Sequence, residues 1–277
     1  MTDIGPHLLG RNPSPPDERD YKLANFARLG VEETATTDPT ELITLAAAEF
    51  KLTTITFKKW AATSYPDVTK THWWKGFNYL ELAKKALNPP IITSVTEWYN
   101  AEPILDQGNT GHCVGFSGAQ WGNTLPFDDQ YVNQDGHDLY YECKVIEGEP
   151  KQENGAYVRS LAEALLARKR ITVYAFAETV DDAIAFIQQK GPVVFGTVWL
   201  NNMFDPDADG LVHATGAEAG GHAYLANGYD SDKNQFLFIN SWSDQWGVNG
   251  HFKMSKSDAE KLFAEYGEIM AAVELPI

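Results

Sequence analysis

The chain has 277 residues, 43% hydrophobic and 22% charged, enough to bury a large core as one two-lobed domain or as two domains. Its formal net charge of −16 argues against nonspecific nucleic-acid binding, which needs clustered lysine and arginine, and gives only a weak long-range bias towards basic partners. Cys113 and Cys143 alone offer no disulfide scaffold, and nothing resembles a Sec signal or a membrane span, so no membrane partner is expected and a cytoplasmic location is the default, non-Sec release leaving the same trace.

Residues 1–30 read as an extended arm. Pro13, Pro15 and Pro16 forbid regular helix, and Asp17-Glu18-Arg19-Asp20-Tyr21 follows. The arm is expected to pack on the domain after it.

Residues 31–90 read as a helical insertion or propeptide-like segment. Asp38 can cap a helix with Pro39 in its first turn, running to Phe50. A second helix is expected at 79–87, stopped by Asn88-Pro89-Pro90. Phe57, Trp60, Trp73, Trp74, Phe77 and Tyr79 crowd this span. They fit a small docked core, an inhibitory cover that is cut away near 88–93, or a surface for a ligand or protein assembly partner, and exposure discriminates.

Residues 91–277 carry the chemistry. Gly108-Asn109-Thr110-Gly111-His112-Cys113 is a glycine-rich turn that delivers a thiol to the start of an apolar helix, where the helix dipole favours the thiolate. Phe116, Ala119 and Leu125 can face the core from that helix, and Leu161, Leu165 and Leu166 have helical spacing within 155–168. Short apolar runs at 192–199, 223–229, 235–239 and 250–254, punctuated by glycine and polar turns, predict antiparallel strands. A cysteine nucleophile needs an imidazole to hold its proton, and the imidazole needs a polar group to fix its tautomer. His222 in Gly220-Gly221-His222 and Asn240 in Asn240-Ser241-Trp242 supply those groups, in that order after Cys113.

These separated runs resemble the papain family of cysteine peptidases over about 95–254. The resemblance implies that Gln107, six residues before Cys113, helps form an oxyanion hole with the Cys113 N–H. It implies that Asn154-Gly155-Ala156-Tyr157 stands where the family's Asn-Gly-Gly-Tyr backbone pairs with bound peptide, so that Asn154, Gly155, Ala156 and Gly221 are the expected substrate-binding positions. Ser241-Trp242 and Trp246-Gly247 also match, with Trp242 covering the His222–Asn240 hydrogen bond. Departures accompany these matches. Val114 replaces the usual tryptophan, and Gly115 replaces an alanine, which should loosen the first helical turn. Thr110 and Glu153 replace two cysteines that commonly form a disulfide, and Ala156 should narrow the cleft by a methyl group.

The implied fold is α+β: a papain-like two-lobed domain at 91–277, with a helical left lobe, an antiparallel β-barrel-like right lobe and the site between them, preceded by the arm and the small N-terminal helical element. The implied activity is a cysteine endopeptidase acting on peptide or protein substrates through a Cys113–His222–Asn240 triad, with no metal or organic cofactor. An amidase, exopeptidase or transpeptidase with the same triad is the first alternative. A binding or structural component of a larger assembly is the second, and the intact Gln107, Cys113, His222 and Asn240 argue against it. Cys143 reads as core filler. His7, His72, His112, His137, His213 and His251 are assigned no catalytic role. Asp205-Pro206-Asp207-Ala208-Asp209-Gly210 imitates the start of a calcium loop, but Gly216 stands at the position of the closing glutamate, so a polar turn is expected.

Overall fold

The computed structural model describes residues 8–17, 21–22, 94–100, 103–127 and 129–274. The helical insertion expected at 31–90, its aromatic cluster and the cut expected near 88–93 lie outside the described residues.

Three helices pack together: α1 (Cys113–Gly122), which opens with Cys113, α2 (Asn133–Ile146) and α3 (Val158–Ala167). All ten residues of α1 are buried, the polar Ser117 and Gln120 among them. A Cβ on Gly115 would overlap the Gly136 carbonyl and Tyr140, so this glycine admits α2 against α1. Its structural consequence is the close packing of these two helices.

Nine strands form one sheet in the order β2 (Tyr21–Lys22), β5 (Ile171–Phe176), β11 (Glu268–Glu274), β6 (Val193–Leu200), β8 (Glu218–Asp230), β9 (Gln235–Ile239), β10 (His251–Ser255) and β7 (Leu211–Val212), with β3 (Val95–Glu97) also on β8. Pairing is antiparallel from β5 through β10. A separate short pair joins β1 (Arg11–Asn12) to β4 (Ala156–Tyr157) in parallel.

Strand alternation explains how one sheet serves two cores. Val194, Ala223, Leu225, Ile239 and Met270 face the cluster around α1–α3. Val193, Phe195, Tyr224, Phe238 and Ile269 face a second cluster that includes Trp199, Trp242 and Trp246. Both strand faces are buried, so these segments read as continuous apolar runs. Helices α4 (Val180–Gln189) and α5 (Lys256–Ala264) pack on the second cluster through Val180, Phe186, Ile187 and Leu262. Each is started by local chemistry. Thr179 Oγ1 accepts from the Asp182 N–H while the Asp182 carboxylate accepts from the Thr179 N–H, and Ser255 Oγ accepts from the Asp258 N–H.

Candidate active site

His222 lies on β8, and Asn240 follows directly on the end of β9. The antiparallel pairing of those strands brings the two side chains together. His222 Nε2 donates to Asn240 Oδ1 at 2.8 Å, and the same oxygen accepts from the Ser241 N–H at 2.9 Å. That donation puts the ring proton on Nε2 and the lone pair of the neutral imidazole on Nδ1. The Trp242 ring stacks on His222 with centroids 4.6 Å apart, and Trp199 meets it edge-on at 5.0 Å. His222 and Asn240 are both buried beneath this aromatic cover, where the low dielectric strengthens their hydrogen bond.

Cys113 opens α1 and is fully buried. Burial pushes its thiol up to about 11, outweighing backbone donors from Ala223, Gly10 and Val114 that favour the anion. The helix N-terminus alone predicts a thiolate. Desolvation wins here, so the buried thiol keeps its proton at neutral pH.

The cover over Cys113 is the chain's own arm. Gly10 carbonyl accepts from the Ala156 N–H at 2.8 Å, and Asn12 Nδ2 donates to the Asn154 carbonyl at 3.0 Å. A Cβ on Gly155 would overlap the Gly10 backbone, and one on Gly221 would overlap the Arg11 carbonyl. Each substrate-binding position named from the sequence therefore meets the arm. The Ala156 methyl belongs to the apolar cluster around α1–α3, so the group that Ala156 offers to the paired strand is its backbone N–H.

Gln107 joins this arrangement. Its Nε2 donates to the Leu8 carbonyl at 3.0 Å and to the Thr110 carbonyl at 2.6 Å, while its Oε1 accepts from Ser241 Oγ at 2.7 Å. The amide expected to stabilise an oxyanion thus already holds a peptide carbonyl of the arm. Beyond β1, the Ser14 N–H donates to Glu268 at 3.1 Å, Ser14 Oγ accepts from the Arg159 N–H, and the Arg159 guanidinium donates to the Pro15 carbonyl.

Three features go beyond the sequence expectations. Arg11 is buried and its guanidinium reaches Glu268. His112, assigned no role, is also buried, stacked on Tyr140 at 3.7 Å and bonded to both His137 and Glu153. Lys144 is buried in α2 and donates to Glu147, Glu149 and the Gly155 carbonyl. No short-range pattern marks the Arg11–Glu268 pair, because 257 positions separate its members. The Glu153 substitution for a family cysteine is the one available signal for its ion pair.

In the calcium-like loop, Asp207 Oδ1 accepts from the backbone N–H groups of Asp209 and Leu211, closing a turn. Among the described residues, no group of three or more His, Cys, Asp or Glu side chains could hold a metal, and no helix is long and apolar enough to cross a membrane. Cys143 is fully buried in the helical cluster.

The chain is 30% identical over 203 residues to an uncharacterized peptidase C1-like protein of Acanthamoeba polyphaga mimivirus, covering 54% of this chain and 63% of that protein. It is 33% identical over 91 residues to cathepsin B-like cysteine proteinase 4 of Caenorhabditis elegans, covering 32% of this chain and 27% of that one. It therefore spans less than two thirds of the length of these relatives. Its fold is similar to that of xylellain, a cysteine protease from Xylella fastidiosa, with a TM-score of 0.60 at 15% identity over 97% of this chain and 96% of that one. The sequence model described as papain family cysteine protease matches residues 128–271, a span that contains His222 and Asn240 and begins after Cys113. With slightly over half its length inside that match, the chain belongs to the papain family of cysteine proteases.

Proposed function

We propose that this protein is a cysteine peptidase in which Cys113 is the nucleophile, His222 the proton carrier and Asn240 the residue that orients it, with residues 8–12 blocking the cleft until the arm is displaced. The observation that carries the reading is the Gln107 side-chain amide holding the Leu8 carbonyl while the Gly10 backbone lies at the Cys113 thiol. An extended peptide is thereby presented to a thiol and an oxyanion donor together.

In the open cleft the Cys113 thiol passes its proton to His222 Nδ1, and the sulfur attacks the carbonyl carbon of a peptide bond. Gln107 Nε2 and the Cys113 N–H stabilise the oxyanion. As the C–N bond breaks, the imidazolium returns the proton to the leaving amine. Water then attacks the thioester with His222 as base, releasing the acid and restoring the thiol. Asn240 keeps the ring proton on Nε2 throughout, so Nδ1 alone exchanges protons with sulfur and substrate.

The arm is held in parallel on β4, and its removal requires breaking contacts rather than chemistry. A Cβ on Gly10 would overlap the Gly111 carbonyl, so Gly10→Ala should eject the arm without touching the proposed catalytic groups. Intact mass after treatment with an epoxysuccinyl inhibitor tests both parts. Single labelling is expected, slow in the full chain, fast in Gly10→Ala and absent in Cys113→Ala. Labelling that persists in Cys113→Ala sinks the nucleophile assignment, and equal rates in the full chain and Gly10→Ala sink the blocking arm.

A further inference from the structure

The Arg11 side chain fills a pocket beside the Cys113 cleft. Its Nη2 lies 2.5 Å from Glu268 Oε2 and 2.8 Å from the Tyr266 carbonyl. Tyr266 holds φ at 63°, the left-handed region that aromatic residues rarely adopt, and its carbonyl meets the guanidinium. The walls are bare or apolar. A Cβ on Gly196 would crowd Arg11 Nε and Val158, and one on Gly221 would overlap the Arg11 carbonyl, so these glycines leave room for the stem and its backbone. Glu268 is paired with Gly196 across β11 and β6, which fixes the carboxylate at the floor of the pocket.

Displacing the arm changes the state of that floor. Glu268 loses both the Arg11 guanidinium and the Ser14 N–H, its two donors from the arm. Its side chain is only 15% exposed, so a carboxylate poorly reached by water is left without a counter-charge. The most favourable replacement is another cation on a long apolar stem, which packs on Val158 as it reaches down. Arg11 Nε has no hydrogen-bond partner among the described residues, so the arm does not satisfy its own guanidinium completely and a better-placed substrate can compete. The net charge of −16 also steers basic peptides towards the protein.

We infer that Glu268 is a specificity-determining residue, and that the pocket now holding Arg11 selects an arginine or lysine side chain of the peptide substrate. This rests on the peptidase reading for the identity of the ligand as substrate, while the pocket itself can be tested without turnover. The arm is then a built-in competitor that uses the recognition element of the substrate.

Calorimetry on the full chain carrying Arg11→Ala, with acetyl-Leu-Gly-Arg-Asn-amide and its norleucine analogue as probes, reads the pocket directly. The arginine peptide is expected to bind roughly 10–100-fold more tightly, the range for a hydrogen bond to a charged group, and Glu268→Gln in the same background should remove most of that difference. A thermal melt of Glu268→Gln guards against misfolding, and a lysine peptide gives a second comparison that needs no further variant. Equal binding of the arginine and norleucine peptides, or no binding of either, overturns the inference. A peptide library read by mass spectrometry, digested by the Arg11→Ala protein, should show arginine or lysine enriched at one fixed distance from the cleaved bond. Cleavage without that enrichment also overturns it. Selective binding of the arginine peptide with no cleavage would uphold the pocket and count against the peptidase reading alone.

Discussion

His112 Nε2 lies 2.6 Å from Glu153 Oε2, tying the residue before Cys113 to the loop that leads into β4. The family commonly joins these two loops through cysteines at the positions of Thr110 and Glu153. An ion-pair-capable hydrogen bond takes over that connection here. The proton pattern is consistent: His112 donates from Nε2 to Glu153 and accepts at Nδ1 from His137 Nδ1, 2.7 Å away.

This link should be sensitive to acid. Burial holds the His112 pKa below its usual 6.5, and the hydrogen bond from His112 holds Glu153 below its usual 4.5. Both folded values are depressed, so both groups contribute stability above their unfolded values and lose it as pH falls through the folded ones. Thermal melts should therefore drop as pH falls below about 6.5 and drop further below about 4.5. Glu153→Gln should flatten the lower step, and an identical pH dependence in that variant would refute the link.

The closed arm should fail at the alkaline end. Burial raises Cys113 from 9.0 to about 11, a raised folded value, so its contribution to closure is complete below pH 9.0 and is lost as pH rises towards about 11. Iodoacetamide alkylation of the full chain should rise with a midpoint well above that of a free thiol. In Gly10→Ala the midpoint should fall, because water then reaches the sulfur. Coincident profiles would show that the arm does not control the thiol.

Lys144 should be costly to remove. Its ammonium is buried and bonded to Glu147, whose side chain is only 4% exposed. Lys144→Met leaves a buried carboxylate without its cation, at about 3–5 kcal/mol of stability. It also releases the Gly155 carbonyl from the loop that pairs with the arm. Urea unfolding should show the loss, and adding Glu147→Leu should recover a large part of it. No recovery in the double variant would shift the cause from charge to packing.

Turnover should separate orientation from proton transfer. General acid–base transfer contributes about 10²–10⁴-fold, and His222→Ala in the Gly10→Ala background should lose that much or more. Asn240→Ala keeps the imidazole and should lose less than His222→Ala, chiefly in kcat. Equal losses would mean that Asn240 does more than orient the ring.

Short-range chemistry accounts for what could be read along the chain. A glycine-rich turn before Cys113, the His222 and Asn240 runs, and apolar stretches near β6, β8, β9 and β10 are local patterns. The capping box at Thr179–Asp182 and the Ser255 cap on the Asp258 N–H are equally local, although the apolar spacing in α4 and α5 is brief. Strands β5 and β11 are harder to see because neither alternates cleanly between polar and apolar residues.

The sequence by itself determined the α+β class, the papain resemblance and the candidate groups, because residue type and spacing carry that information. Only the tertiary structure decided that residues 8–12 meet Gln107 and β4, that burial raises the Cys113 pKa, and that Arg11 meets Glu268. Those contacts join residues from 99 positions apart, for Leu8 and Gln107, to 257 apart, for Arg11 and Glu268, and they leave no periodic trace in the residues that make them.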